Sequence, residues 1–139
     1  MSPAQILFPM AALVALTFAV LLLVPYVRFK AARGRLVTAD DFRFGESSRV
    51  PGQVSVPNRN LMNLLELPML FYVACLTFYV TRTVDQPSLY LAWLYVALRA
   101  AHSLVHLTYN KVFHRLGVYA ASNVVLLALW IRLFLAISK

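Results

Sequence analysis

Four long apolar runs constrain the fold of this chain more than any other feature of its sequence. They cover residues 6–27, 61–80, 88–107 and 118–137, and each is close to the roughly 20 residues that a helix needs to cross a ~30 Å hydrocarbon layer. The runs leave no room for a separate soluble domain. We therefore predict an all-α integral membrane protein, a four-helix bundle in which one domain covers residues 1–139 and one long loop covers residues 28–59.

The charge balance is strongly basic, with 13 Lys and Arg against 5 Asp and Glu. A basic balance is typical of nucleic-acid-binding proteins, but those carry their charge on a soluble fold, whereas 61% of this chain is apolar. We expect no nucleic-acid partner and attribute the charge to membrane topology. The first run lacks the basic segment that precedes the apolar core of a signal peptide, so we interpret it as a retained span.

Most of the basic residues are expected at one end of the bundle. The long loop and the connection between the third and fourth spans lie on the same side of the predicted membrane. Together they hold nine of the thirteen: Arg28, Lys30, Arg33, Arg35, Arg43, Arg49, Arg59, Lys111 and Arg115. By the positive-inside rule this side is cytoplasmic, and both termini lie on the opposite side.

Ionisable residues inside the spans are the candidates for a functional site, because a charge within the bilayer is costly and usually faces a partner or a cavity. Arg59, Asn63 and Glu66 follow at i, i+4 and i+7, which places them on one face of the second span. An equivalent stripe on the third span consists of Arg99, His102 and His106. Around the third connection this polar wall continues with Tyr109, Asn110, Arg115 and Tyr119.

Donor groups exceed acidic groups in this set, which favours a small zwitterionic or polyanionic ligand. Guanidinium groups bind carboxylates in forked pairs, and Glu66 can hold an ammonium group. In an alternative interpretation, Glu66 and Arg99 pair with each other or with a neighbouring chain and only hold helices together. His102 and His106 have metal-ligand spacing, but the helical Glu of an H-E-x-x-H site is absent, so no metal is expected. Cys75, inside an apolar run, is expected to be a small core residue.

Three motif spacings, together with the four spans, resemble a known family. They are Arg59-x-x-x-Asn63-x-x-Glu66, Arg99-Ala-Ala-His102 followed by His106, and Arg115-x-x-x-Tyr119. The family is MAPEG, the membrane-associated proteins in eicosanoid and glutathione metabolism, which includes microsomal glutathione transferases and prostaglandin E and leukotriene C synthases. The likeness covers nearly the whole chain. Residues 102–130 look most like small bacterial members, which implies a bacterial inner membrane.

The resemblance implies a homotrimer that binds glutathione as a cosubstrate between neighbouring subunits, near the cytoplasmic surface. A lipophilic small molecule would arrive from the bilayer, so the expected partners are a second copy of the chain, glutathione, that molecule and membrane lipid. Carried over by position, Arg115 would be the catalytic residue that stabilises the glutathione thiolate. The glutathione-binding residues would be Arg28, Arg59, Asn63, Glu66, Arg99, His102, His106 and Tyr119.

The activity implied is conjugation of glutathione to lipophilic electrophiles or reduction of lipid hydroperoxides. Two residues differ from the animal members: His106 stands where many have a tyrosine, and Pro68, expected to kink the second span, follows Glu66 more closely. Two other functions remain open. One is a non-catalytic lipid-binding or scaffold protein of the same fold. The other is a small transporter using Glu66, Arg99 and the histidines, although the sequence lacks the paired inverted repeat of such carriers.

Overall fold

The structure is a computed structural model that describes residues 2–138, and within that range it is almost entirely helical. Its α-helices are α1 (Leu7–Arg33), α2 (Gly52–Leu65), α3 (Pro68–Thr81), α4 (Gln86–Leu107) and α5 (Val112–Ile137), with short 3-10 helices at Pro3–Ile6 and Ala39–Phe42. Because α2 and α3 follow one another along one path, four helical segments are long and apolar enough to cross a membrane. The predicted all-α membrane bundle is confirmed.

The helices extend further than the apolar runs at the end that carries the basic loop. α1 continues past residue 27 to Arg33, and α2 begins at Gly52 instead of 61. The connecting loop therefore covers 34–51, a shorter segment than predicted. Hydropathy marks only the part of a helix that lies in hydrocarbon, whereas polar residues continue the same backbone hydrogen bonding into water.

The second predicted span is not one continuous helix. Pro68 has no N–H to donate to the carbonyl of Leu64, and its ring crowds the preceding turn. It instead opens α3, because an N–H in the first turn of a helix has no helical partner. Glu66, with a ψ of −102°, and Leu67 form the break between α2 and α3. The distortion lies where Pro68 was expected to kink the span, next to Glu66.

The bundle has an apolar core and an apolar outer surface. Inside, the ring of Phe71 on α3 stacks on Tyr95 of α4 with centroids 4.6 Å apart, and both side chains are fully buried. Cys75 lies in the same core, as expected. Large apolar side chains also point outward, among them Phe18, Leu22, Val80, Val124 and Leu127. An exposed apolar surface of this kind is typical of a protein that faces lipid.

The loop between α1 and α2 is ordered around one carboxylate. The amide and hydroxyl of Thr38 donate to Oδ2 of Asp41 at 2.8 and 3.0 Å, and the Ser47 hydroxyl donates to Oδ1 at 2.7 Å. The Arg49 guanidinium lies 3.0 Å from the same Oδ1. These contacts, above all the Thr38 amide, lower the pKa of Asp41 from 3.8 to about 2. Beside them the loop covers a small apolar cluster of Ala31, Val37, Val50 and Val54.

At the opposite end of the bundle, a second acidic residue, Asp85, links two helices. Oδ1 of Asp85 accepts a hydrogen bond from the Ser88 amide at 2.9 Å and so caps the start of α4. Oδ2 of Asp85 pairs with Arg132 near the end of α5. One carboxylate therefore joins the beginning of α4 to the end of α5.

Candidate functional site

The polar stripes of α2, α4 and α5 meet at the end of the bundle that carries the basic loop. They enclose a first cavity of about 310 Å³. Its lining consists of Arg59, Asn63, His102, His106, Val112, Arg115, Leu116 and Tyr119. Six of the nine site residues named from the sequence are therefore brought together in one chain.

Helical spacing explains why these side chains converge. Each helix contributes a pair separated by four residues, which places both members on one face. The pairs are Arg59 with Asn63, His102 with His106, and Arg115 with Tyr119. Sequence reasoning missed Val112 and Leu116 because they are apolar. Their signal was present, since each stands three residues before a polar member of the α5 pair.

The position of Arg115 is set by the turn between α4 and α5. Its Nη1 donates to Oδ1 of Asn110 at 2.9 Å. Asn110 has a φ of 47°, in the left-handed region that asparagine tolerates better than most residues. The Tyr109 hydroxyl, in contrast, lies 3.2 Å from Nδ1 of His114, and Tyr109 does not line the first cavity. The predicted polar wall therefore lacks Tyr109.

The two cavity histidines are deeply buried. His102 and His106 are each 2% exposed, their rings lie 5.7 Å apart, and the His102 ring lies 5.7 Å from that of Tyr119. Nδ1 of each histidine has no hydrogen-bond partner within residues 2–138. In the part of the chain that the structure describes, no third His, Cys, Asp or Glu joins them as a metal ligand would. Both imidazoles can therefore bond a polar ligand.

Arg99 lies behind the first cavity. It is fully buried, and its Nη2 donates to the backbone carbonyl of Asn63 where α2 passes α4. Its guanidinium carbon lies 5.6 Å from the ring centre of Tyr119, a cation–π distance. The Glu66–Arg99 ion pair that the sequence left open is absent from residues 2–138. The pair within one chain is therefore wrong, since Glu66 lies at the helix break and is exposed on the surface of the chain, whereas a pairing with a neighbouring chain stays a prediction.

Arg28 and Glu66 do not reach the first cavity within one chain. Nη2 of Arg28 lies 2.9 Å from Oε1 of Glu46, and its guanidinium sits 4.5 Å above the ring of Phe42. Both partners belong to the loop between α1 and α2. Arg28 therefore holds that loop, and Glu66 lies exposed at the break between α2 and α3.

The comparisons with known proteins agree with this arrangement. The family model for the MAPEG family matches residues 6–135 of the 139. The chain belongs to the MAPEG family. Searches of curated proteins and of solved structures give no significant match. The resemblance drawn from the three motifs is thus confirmed, and the first cavity lies in a membrane protein of the MAPEG class, whose members act in glutathione and eicosanoid metabolism.

Proposed function

We propose that this MAPEG protein is a glutathione-dependent transferase or peroxidase that acts on lipophilic electrophiles or lipid hydroperoxides. The observation that best supports this is the convergence of two guanidinium groups, Arg59 and Arg115, with two buried imidazoles in the first cavity. Glutathione offers carboxylates and amides to such donors, and charge-assisted hydrogen bonds to guanidinium are the strongest available. Asn63 and Tyr119 add further polar groups to the same lining.

Arg115 is the proposed catalytic residue. A thiol with a pKa of about 8.5 is mostly protonated at neutral pH, and a nearby cation favours the nucleophilic thiolate. A guanidinium provides that cation without losing its own proton. In conjugation, the thiolate sulfur bonds to the electrophilic carbon, the leaving group departs with its electron pair, and the thiol proton passes to water.

The peroxidase reaction uses the same thiolate. The sulfur attacks the terminal oxygen of the hydroperoxide, the O–O bond breaks, and the lipid leaves as an alkoxide that takes a proton from water to become an alcohol. The resulting sulfenic acid of glutathione condenses with a second glutathione to give the disulfide and water. Both reactions therefore begin with one stabilised thiolate.

An apolar groove on the outer surface would offer the lipophilic substrate a path. A groove of about 460 Å³ with an almost entirely apolar lining runs between α1 and the break between α2 and α3. Its lining consists of Met10, Val14, Thr17, Phe18, Leu21, Leu65 and Tyr72. Delivery from the bilayer would raise the local concentration of an apolar substrate beside the thiolate.

The remaining motif residues are assigned, in this proposal, to a boundary between subunits of a homotrimer. Glu66 is exposed on the single chain, so a neighbouring copy can cover it. Arg28 stands on the same end of the molecule and would complete the glutathione site from α1. The basic end faces the cytoplasm of a bacterial inner membrane under the positive-inside rule.

The test uses the purified full-length protein in detergent. Glutathione should raise its unfolding temperature, and the protein should conjugate a chlorinated nitroarene or reduce a lipid hydroperoxide. Arg115→Ala should abolish most turnover, whereas Arg82→Ala, a surface cation at the opposite end of α3, should retain it. Absence of both glutathione binding and turnover in the wild-type protein would reject the proposal.

A second candidate function is a non-catalytic lipid-binding or scaffold protein, which the apolar groove supports. This function predicts that lipid co-purifies with the protein and that neither substrate is turned over. Arg115→Ala would then leave lipid binding unchanged. Mass spectrometry of the co-purifying lipid, measured beside turnover, separates the two functions.

A further inference from the structure

A second cavity adjoins the first, and the proposed function assigns it no ligand. Its volume is about 360 Å³. It lies between the start of α2 and the end of α4, and Arg59 and His106 line both cavities. The second cavity is lined by Gly52, Gln53, Val56, Arg59, His106, Leu107, Thr108 and Asn110.

The start of α2 gives the second cavity unpaired amide donors. No side chain caps this helix, whose N-cap residue is Pro51. The first amides of a helix have no partner inside the helix, so those of Gly52 and Gln53 are available to a ligand. A Cβ built on Gly52 meets no atom within 4 Å, which shows open space beside these amides. The helix macrodipole adds partial positive charge at the same place.

His106 provides an independent sign of a missing ligand. The residue is 2% exposed, and its Nδ1 has no hydrogen-bond partner among the residues that the structure describes. A buried polar group without a partner is destabilising, so such atoms normally bond a ligand or water. Arg59 adds a cation that forms no ion pair within residues 2–138. Asn110 adds an amide NH₂, because its oxygen is the atom that accepts from Arg115.

We propose that the second cavity is an anion site that binds a phosphate or carboxylate group. The amides of Gly52 and Gln53 would hold the anion, with Arg59 as its counter-charge and His106 as a buried partner. The group can come from a soluble molecule or from the headgroup of an anionic lipid, because the second cavity lies at the cytoplasmic membrane boundary of the bundle. Arg59 also lines the first cavity. An anion bound in the second cavity therefore changes how strongly the Arg59 guanidinium holds a ligand in the first.

Gln53 offers a charge series that tests the site with little change in shape. Gln53→Glu is isosteric and adds a negative charge in the first turn of α2, where Glu favours the helix, so lost binding cannot be attributed to unfolding. The charge repels an incoming anion, and we expect phosphate affinity to fall by about tenfold or more. Gln53→Lys should raise the affinity about threefold. Arg82→Gln, at the opposite end of the bundle, should leave it unchanged.

The readout is the unfolding temperature of the detergent-purified protein during a titration with inorganic phosphate at constant ionic strength. A saturable rise in wild type that Gln53→Glu weakens supports the site. A second variant, Gly52→Leu, fills the open space without adding charge and should also weaken the response. No saturable response to phosphate, or equal responses from wild type and both variants, overturns the proposal for a soluble anion.

Nanodiscs distinguish the two sources of the anion. Without free phosphate, phosphatidylglycerol should stabilise wild type more than phosphatidylcholine does, and Gln53→Glu should reduce that difference, if a lipid headgroup is the occupant. A response to phosphate alone assigns the site to a soluble molecule, and a response to neither probe refutes it. The proposed thiol chemistry is assayed separately by glutathione turnover, so either proposal can fail while the other stands.

Discussion

Asn110 is predicted to act as a positioning residue for Arg115, and two substitutions separate this role from its role in folding. The hydrogen bond from Nη1 of Arg115 to Oδ1 of Asn110 is 2.9 Å long and partly buried. Hydrogen bonds to charged groups contribute about 1.5–3 kcal/mol, and partial exposure places this one near the lower limit. A loss of about 1.4 kcal/mol in the transition state corresponds to a tenfold fall in kcat/KM.

The backbone of Asn110 supplies the matched control. Its φ of 47° is left-handed, a conformation that glycine adopts freely and that costs alanine on the order of 1 kcal/mol. Both Asn110→Gly and Asn110→Ala remove the acceptor. We therefore expect both to lower kcat/KM about tenfold. Both also lose the contribution of the hydrogen bond to the free energy of unfolding, and Asn110→Ala lowers that free energy by about 1 kcal/mol more than Asn110→Gly does. Asn110→Asp keeps an acceptor and should retain most turnover.

The measurements are kcat/KM for conjugation of a chlorinated nitroarene, the glutathione dissociation constant and thermal unfolding in one detergent. If Asn110→Gly turns over as fast as wild type, Asn110 does not position Arg115. If the two variants lose activity in proportion to their loss of stability, the effect is structural. Either result would refute the reasoning.

Three further predictions concern other parts of the molecule. Arg99→Met should not lower the unfolding temperature, because it removes a buried guanidinium with unpaired nitrogens. Arg99→Ala should lower the free energy of unfolding by about 2–5 kcal/mol, because it leaves a cavity. Thermal unfolding of both variants checks the difference. The stabilisation of the loop by the Asp41 carboxylate is fully present above the unfolded pKa of 3.8 and is lost as the pH falls through about 2. Amide hydrogen exchange in the loop should therefore stay slow down to near pH 4 and become faster below it. Asp41→Asn should make the loop accessible to trypsin at neutral pH. Asp85→Ala should lower the free energy of unfolding by about 1 kcal/mol, because the Ser88 amide loses its cap. Asp85→Asn should lower it less, because asparagine also caps helices and the pair with Arg132 is partly exposed. An equal fall in Tm for both variants would contradict this.

Helical periodicity predicted which polar residues share a face, but it did not predict how faces meet. The i, i+4 spacing of Arg59 with Asn63 is a local property, and it survives in the structure. The ion pair between Glu66 and Arg99 within one chain was a prediction across helices, and it is wrong because Glu66 lies exposed at the break between α2 and α3, whereas Arg99 is fully buried. Loop boundaries were also misplaced, since hydropathy does not mark the polar ends of helices such as Arg33.

Some functional features left almost no signal in the sequence. The anchoring of Arg115 depends on the left-handed turn at Asn110, which local propensity permits but does not require. The second cavity depends on the start of α2 lying beside the end of α4, and its glycine and glutamine are unremarkable in sequence. Arg28 was expected in the glutathione site, yet within one chain its partner is Glu46 in the loop.

The membrane-spanning fold and the family follow from the amino-acid sequence. The length of an apolar run decides whether a helix can cross lipid, and motif spacings are read along one chain, so both are local properties. Only the tertiary structure decided which charges meet: Arg115 with Arg59 at one cavity, Arg99 behind it, and Glu66 on the outside. The physical reason is that contacts between distant segments depend on helix rotation, crossing and breaks, which arise from packing the whole bundle.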